Sequence, residues 1–193
     1  PEGPKGAPAV THSHSLPAHM DMWRPQMPAL TERFRVLRYD VRGHGGTPVL
    51  PGDFSLRDLA ADLHALLAAL GIKRTHLVGL SMGGMIGQQL AIDHPELLES
   101  LVLADTLSVY GPEAQPMWQG RIDAASGPQG MEPLVEPTIT RWFTEPFRRA
   151  HPETMDWVRG MIRATVPAGF IGCCRALMAL NLTARLPEVR IPA

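Results

Sequence analysis

Ser81 stands in the run His76-Leu-Val-Gly-Leu-Ser-Met-Gly-Gly-Met85, and the five residues Gly79-Leu-Ser-Met-Gly83 within it have the form G-x-S-x-G. The motif directly follows a short apolar segment at 75–78 and directly precedes a helical run, so the serine falls on a sharp turn between a strand and a helix. Such a turn lifts a hydroxyl above the end of a sheet. It needs glycine on both sides, because side chains there would meet the neighbouring strand and helix. The chemistry this suits is acyl transfer. A serine oxygen attacks a carbonyl carbon, and the developing oxyanion must be met by N–H donors worth roughly 3 to 4 kcal/mol each. The N–H of Met82, next in the chain and at the start of the helix, is one candidate. The second is the N–H of Leu16, in the segment His14-Ser-Leu16 that follows the first expected strand. A glycine turn opening a helix also suits a bound phosphate, but no lysine follows in the Walker position.

The elements that must hold these groups can be read from the pattern on either side. Residues 9–15 form an expected strand, polar for one because of Thr11, His12 and His14. Pro25 and Pro28 limit any helix begun at Asp21, residues 34–39 alternate with the period of a strand, and 40–51, containing Arg42-Gly-His-Gly-Gly46, read as a loop. The clearest helix follows. Ser55 and Asp58 have capping-box spacing, Leu56, Leu59, Leu63, Leu66, Leu67 and Leu70 recur on one face, and Gly71 stands where a helix ends. A strand at 75–79, a helix at 82–94 stopped by Pro95 and a strand at 100–104 complete the alternation. Strands alternating with helices predict an α/β fold with a parallel sheet. Residues 111–186 differ: short segments punctuated by proline and rich in Met, Trp and Arg, with helical spacing at 156–163 and 172–180. They predict a helical cap over a core formed by residues 1–110, with 187–193 starting a returning core strand.

Composition narrows the partners. The chain has 193 residues, 45% of them apolar, and a formal net charge of -1, so it supports one sizeable core and offers no basic stripe for nucleic acid. The most apolar stretch, 59–70, is interrupted by Asp62 and His64 and falls short of the roughly 18 residues of a membrane span. Cys173 and Cys174 are adjacent, giving neither a disulfide framework nor a zinc pattern, and no metal site stands out. These features fit a soluble, cytoplasmic protein.

Taken together, Tyr39-Asp-Val-Arg-Gly-His-Gly45, Gly79-Leu-Ser-Met-Gly-Gly84, Leu101-Val-Leu-Ala-Asp-Thr106, Arg141-Trp-Phe-Thr144 and Gly172-Cys-Cys174 resemble the 3-oxoadipate enol-lactonases of the α/β-hydrolase superfamily. The resemblance runs from about residue 9 to the last residue. Its first two blocks are common to many α/β-hydrolases, whereas the two cap blocks are particular to the lactonases. It implies the α/β-hydrolase fold and hydrolysis of the enol-lactone of 3-oxoadipate in bacterial breakdown of aromatic compounds. It implies Ser81 as nucleophile, no cofactor, and a small-molecule lactone or ester as partner. Because that substrate carries a carboxylate, the resemblance also places Arg141 as its cation and Trp142 as an apolar wall.

In this superfamily the serine is followed in the chain by an acid and then a histidine. After Ser81 come only His94, at a helix end before Pro95, and His151, in the cap, and neither stands where a base is expected. Asp105, after the strand at 100–104, occupies an alternative acid position. The chain begins Pro1-Glu-Gly-Pro-Lys without an initiator methionine and stops at Arg190-Ile-Pro-Ala193. The expectation is therefore a fold truncated at both ends, a four-stranded middle section with both outer strands unpaired and without its acid and histidine. The alternatives are another carboxylesterase or haloperoxidase-like relative of the same fold, or a non-catalytic binding module.

Overall fold

Four strands, β1 (Ala9–Ser13), β2 (Arg35–Arg38), β3 (Thr75–Leu80) and β4 (Leu98–Ala104), form a parallel sheet in the order β2-β1-β3-β4 in the computed structural model, which describes residues 1–193. The chain leaves β1 for one edge, returns across it to β3, and continues to β4. The strand order therefore reverses beside β1 and β3, and a ligand crevice belongs at their C-terminal ends. Ser13 lies level with Gly79, and Leu80 with Ala104, so the residues that follow β1, β3 and β4 emerge together.

Helix α2 (Leu56–Ala69) begins with the capping box expected of Ser55 and Asp58 and ends at Gly71, whose φ of 65° suits a residue without Cβ. Its buried stripe of Leu56, Leu59, Ala60, Leu63 and Leu67 packs beside α3 (Met82–Asp93), each leucine contributing about 1.5 to 3 kcal/mol. Helix α3 is buried along nearly its whole length, and Gly87 lets it settle between Leu77 and Leu101 of the sheet. The segment after β1 is a 3-10 helix, Met20–Gln26, followed by the short α1 (Met27–Thr31). Pro25 and Pro28 keep it from becoming one longer helix.

The cap consists of α4 (Gln115–Ser126), α5 (Glu132–Trp142), α6 (Glu145–Ala150), α7 (Pro152–Ala164) and α8 (Pro167–Met178). Most of the prolines that punctuate this part of the sequence mark helix starts, Pro137 inside α5 being an exception. Each of the five has Pro at its first or second position, where the missing N–H would be unpartnered anyway. The cap and sheet share one hydrophobic core, in which Leu77, Met85 and Leu90 are continuous with Trp118, Ile139, Met155, Ile162 and Phe170.

Thr183–Glu188 is a 3-10 helix, after which the chain reaches the edge of β4, where a returning strand would begin. One expectation is corrected: the sheet edges are not wholly unpaired. Glu2 makes an antiparallel bridge to Val36 on the outer side of β2, with N–H···O distances of 2.8 and 2.7 Å, and the Pro192 carbonyl accepts from Leu101 N–H at 2.9 Å. The rest of the β4 edge is open, leaving Val102 and Leu103 50% and 40% exposed, an invitation to strand pairing with other chains.

The cap docks on the core where Gly169 of α8 meets Gly43 of the 40–51 loop. A Cβ on either would collide with the other's backbone, and Gly43 also has a φ of 75°. Gly169→Ala is expected to cost about 1 to 3 kcal/mol through overpacking, and Gly43→Ala about 1 kcal/mol more through its backbone conformation. Urea unfolding of the two variants checks both values and their order.

Candidate active site

Ser81 occupies the turn between β3 and α3 with φ 52° and ψ -112°, a conformation costing of order 1 to 3 kcal/mol that persists only where its surroundings dictate it. They do so from three sides. Ser81 N–H donates to the Ala104 carbonyl at 2.9 Å, and the Ser81 carbonyl accepts from the Thr106 hydroxyl at 2.7 Å, tying the turn to the end of β4. A side chain at Gly83 would strike the Ser13 carbonyl, and one at Gly79 would strike the Gly83 carbonyl. The two flanking glycines of the motif are thus required by contacts with β1 and with the helix.

Met82 is the first residue of α3, so its N–H has no partner within the helix and points with the positive end of the helix dipole toward the space above Ser81. Leu16 lies in the turn after β1, and its N–H makes no hydrogen bond within the chain. That turn is fixed by His14. Val41 N–H donates to His14 Nε2 at 2.9 Å, so the ring proton is on Nδ1, from which it is donated to the Ser15 carbonyl at 3.0 Å. The imidazole is held neutral in one tautomer. Burial, reinforced by nearby His44, lowers its pKa to about 3. Asp40 performs a similar service beside it. One carboxylate oxygen accepts from Met20 N–H at 2.7 Å and the other from Gly46 N–H at 2.9 Å.

Above these groups lies a cavity of about 570 Å³ between sheet and cap, whose lining includes Leu16, Ser81, Asp105, Arg141 and Trp142. The structure therefore brings Leu16, Ser81, Arg141, Trp142 and Asp105 to one space. Met82 is not among the residues that line the cavity: its side chain is buried in the core, and only its place as the first residue of α3 sets its N–H beside Ser81. Asp105, like Ser81, has a positive φ, 41°, at the end of its strand. Arg141 is exposed at the last turn of α5, and Trp142 is half-buried beside it.

None of the chain's eight histidines lines the cavity. His94 ends α3 and stacks on His64 with ring centres 4.1 Å apart, and His151 precedes α7 against Phe147 at 4.3 Å. His44 is fully buried in the 40–51 loop, donating from Nδ1 to the Arg42 carbonyl at 3.1 Å and leaving Nε2 unpartnered.

Sequence reading missed one charged residue of the lining, Arg121. It follows Trp118 by three positions on α4, and its guanidinium carbon lies 4.9 Å from the indole centre. The Trp-x-x-Arg spacing was the available signal, since residues three apart share a helix face. The aromatic wall also extends beyond Trp142 to Tyr110, Trp118, Phe143 and Trp157.

A parallel sheet with a glycine-flanked serine at the strand-helix turn, roofed by helices, defines an α/β-hydrolase. The family model for the alpha/beta hydrolase fold matches residues 8–154, and the chain belongs to that family. It is 34% identical over 190 residues to 3-oxoadipate enol-lactonase 2 of Acinetobacter baylyi, an alignment covering 98% of this chain and 70% of the relative. Its structure superposes on the enol-lactonase from Burkholderia xenovorans LB400 with a TM-score of 0.91 at 33% identity, over 100% of this chain and 74% of that one. It is also 32% identical to a RutD protein of Stutzerimonas stutzeri, whose name assigns it carbamate hydrolysis, over 96% of this chain and 71% of the relative.

Three buried histidines underlie the Leu16 turn, and burial lowers all three: His12 and His44 to about 4, His14 to about 3. Each is neutral when folded and takes up a proton on unfolding below its ordinary pKa of about 6.5. The stability they contribute is complete above that pH and is lost as the pH falls through the folded values. Urea unfolding should therefore give a free energy flat above about pH 6.5 and falling below it, with a slope that approaches three protons per molecule by pH 5. A flat profile between pH 6.5 and 5 would contradict this.

Proposed function

We propose that this chain carries the nucleophile, oxyanion donors and substrate pocket of an enol-lactonase, acting on the enol-lactone of 3-oxoadipate. The observation that carries the reading is Ser81, held at φ 52° on the floor of a cavity that also presents Leu16, Arg141 and Trp142. The 33–34% identity to 3-oxoadipate enol-lactonases supports the choice of substrate within the family.

In this reading the Ser81 oxygen adds to the lactone carbonyl, and the oxyanion is received by the N–H groups of Leu16 and Met82. Collapse breaks the ring C–O bond. The leaving enolate remains tethered to the acyl group, takes up a proton and relaxes to the ketone. Water then adds to the Ser81 ester, and the acid product departs with Ser81 restored. Arg141 meets the carboxylate that the substrate already carries, and Trp142 shields the reacting end from water. Carbamate hydrolysis begins with the same addition, which is why the RutD likeness at 32% identity favours it as a second reading. A cavity with two guanidiniums suits an anionic substrate better than a small neutral one.

Addition by serine needs a base, and with no histidine in the cavity the polypeptide by itself should turn over slowly, retaining at most the part of catalysis that survives loss of a triad. With p-nitrophenyl acetate or the enol-lactone, the purified chain is expected to show slow hydrolysis and slow acylation of Ser81, detected by peptide mass spectrometry. Both should vanish in Ser81→Ala. An adduct elsewhere, or hydrolysis unchanged in Ser81→Ala, would refute Ser81 as nucleophile. Ordinary turnover abolished by Ser81→Ala would show instead that a base is present.

A further inference from the structure

Of the two guanidiniums in the cavity, the one outside the cap motif is the better placed to hold an anion. Arg121 is half-buried, whereas Arg141 is exposed. Trp118, only 3% exposed, lies beneath the Arg121 guanidinium. Tyr110 in turn meets Trp118 edge to face, with ring centres 5.2 Å apart. This aromatic shelf fixes the Arg121 head group before any ligand arrives, so less rotamer entropy is lost on binding.

Its charge is also unbalanced. Arg149, Arg159, Arg163 and Arg175 of the cap are each paired with a carboxylate. No carboxylate is among the groups that act on Arg121. Burial and the neighbouring Arg141 cation both pull its pKa below the usual range. A half-buried cation facing another cation, with no counter-ion, is costly unless the ligand supplies the anion.

We propose that Arg121 is the principal anchor for a ligand carboxylate, with Arg141 closing on the same group from the cavity mouth. The site then selects esters and lactones whose acyl part bears a second, free carboxylate: half-esters and lactones of dicarboxylic acids rather than neutral esters. This rests on the hydrolase reading for the nature of the reacting bond. The assignment of the anion to Arg121 rests on the cavity alone.

Binding tests it without turnover, so a failure of Ser81 to react and a failure of this assignment are told apart. The intact chain would be titrated with monomethyl adipate and with dimethyl adipate, following the fluorescence of the cavity tryptophans. The parent is expected to bind the monoanion roughly tenfold or more tighter than the diester, as a charge-assisted bidentate contact allows. Arg121→Gln should bring the two affinities within about twofold, leaving the diester unaffected, whereas Arg141→Gln should reduce the preference only about two- to fivefold. Arg121→Lys keeps the charge and the aliphatic stem but loses the planar fork, and should lower the preference roughly threefold. It keeps the test decisive if the glutamine variant fails to fold. No preference in the parent, an unchanged preference in Arg121→Lys, or a preference erased by Arg141→Gln and retained in Arg121→Gln would each overturn the proposal.

Discussion

The close approach of α3 to the end of β1 is the constraint on which the rest of the site depends. Gly83 sits against the Ser13 carbonyl with no room for a Cβ, and Gly79 is similarly pressed by the Gly83 carbonyl. With both glycines in place, the chain can turn from strand to helix within one residue, and that residue, Ser81, takes the positive φ. The same approach brings the turn after β1 level with Ser81, because Ser13 and Gly79 are register partners. The turn that carries Leu16 and the start of α3 at Met82 therefore lie at the same end of neighbouring strands as a consequence of strand pairing. Ser13 Oγ is in turn bonded to the buried Tyr39 hydroxyl at 2.8 Å, which extends the bracing to β2.

A second close approach couples the cap to this floor. Gly43 and Gly169 touch through their backbones, and Gly172, one turn further along α8, faces the ring of Phe54. Phe54 carries the Arg42 guanidinium at 5.0 Å, and Arg42 is held by a bidentate pair to Asp62 of α2 at 2.6 Å. Arg42 is mostly buried at its head group while Asp62 is half-exposed. The pair thus orients the 40–51 loop more than it adds stability. The cap motif Gly172-Cys-Cys174 finds its physical meaning here. Gly172 admits Phe54, and the two fully buried cysteines, whose thiols burial pushes to high pKa, serve as small core residues without reactive character.

Most of the scaffold was legible because each element announced itself locally. Ser55, Asp58 and the leucine stripe define α2, Gly79-x-Ser-x-Gly83 defines the turn, and β2, β3 and β4 lie within one or two residues of the expected segments. What stayed hidden depended on contacts between distant residues. The first strand stops at Ser13 because His14 turns its ring back to bond Ser15 and Val41, a partnership 27 positions away that no periodicity reports. Most cap prolines read as breaks when they are beginnings, since Pro has the same sequence signature at either end of a helix. Arg121 escaped notice because the Trp-x-x-Arg spacing says that it shares a helix face with Trp118 but not that α4 turns that face toward the cavity. Only the packing of Trp118 against Tyr110 decides that.

The histidines show how little the backbone conformation of Ser81 depends on titratable groups. His14 locks the Leu16 turn, His44 closes the adjoining loop on the Arg42 carbonyl, and His12 stacks on Trp23 at 4.7 Å. His76 meets Ser100 across β3 and β4 at 2.9 Å, while His64, His94 and His151 are engaged in aromatic contacts. The buried ones are kept neutral by their surroundings and are spent on structure. None is needed to set the φ of Ser81, which follows from the glycine contacts, and of the three only His14 helps to place an N–H group, through the turn that carries Leu16. An elbow of this kind is therefore preorganised by the sheet, and Ser81 is held in its strained conformation whatever group comes to lie above it.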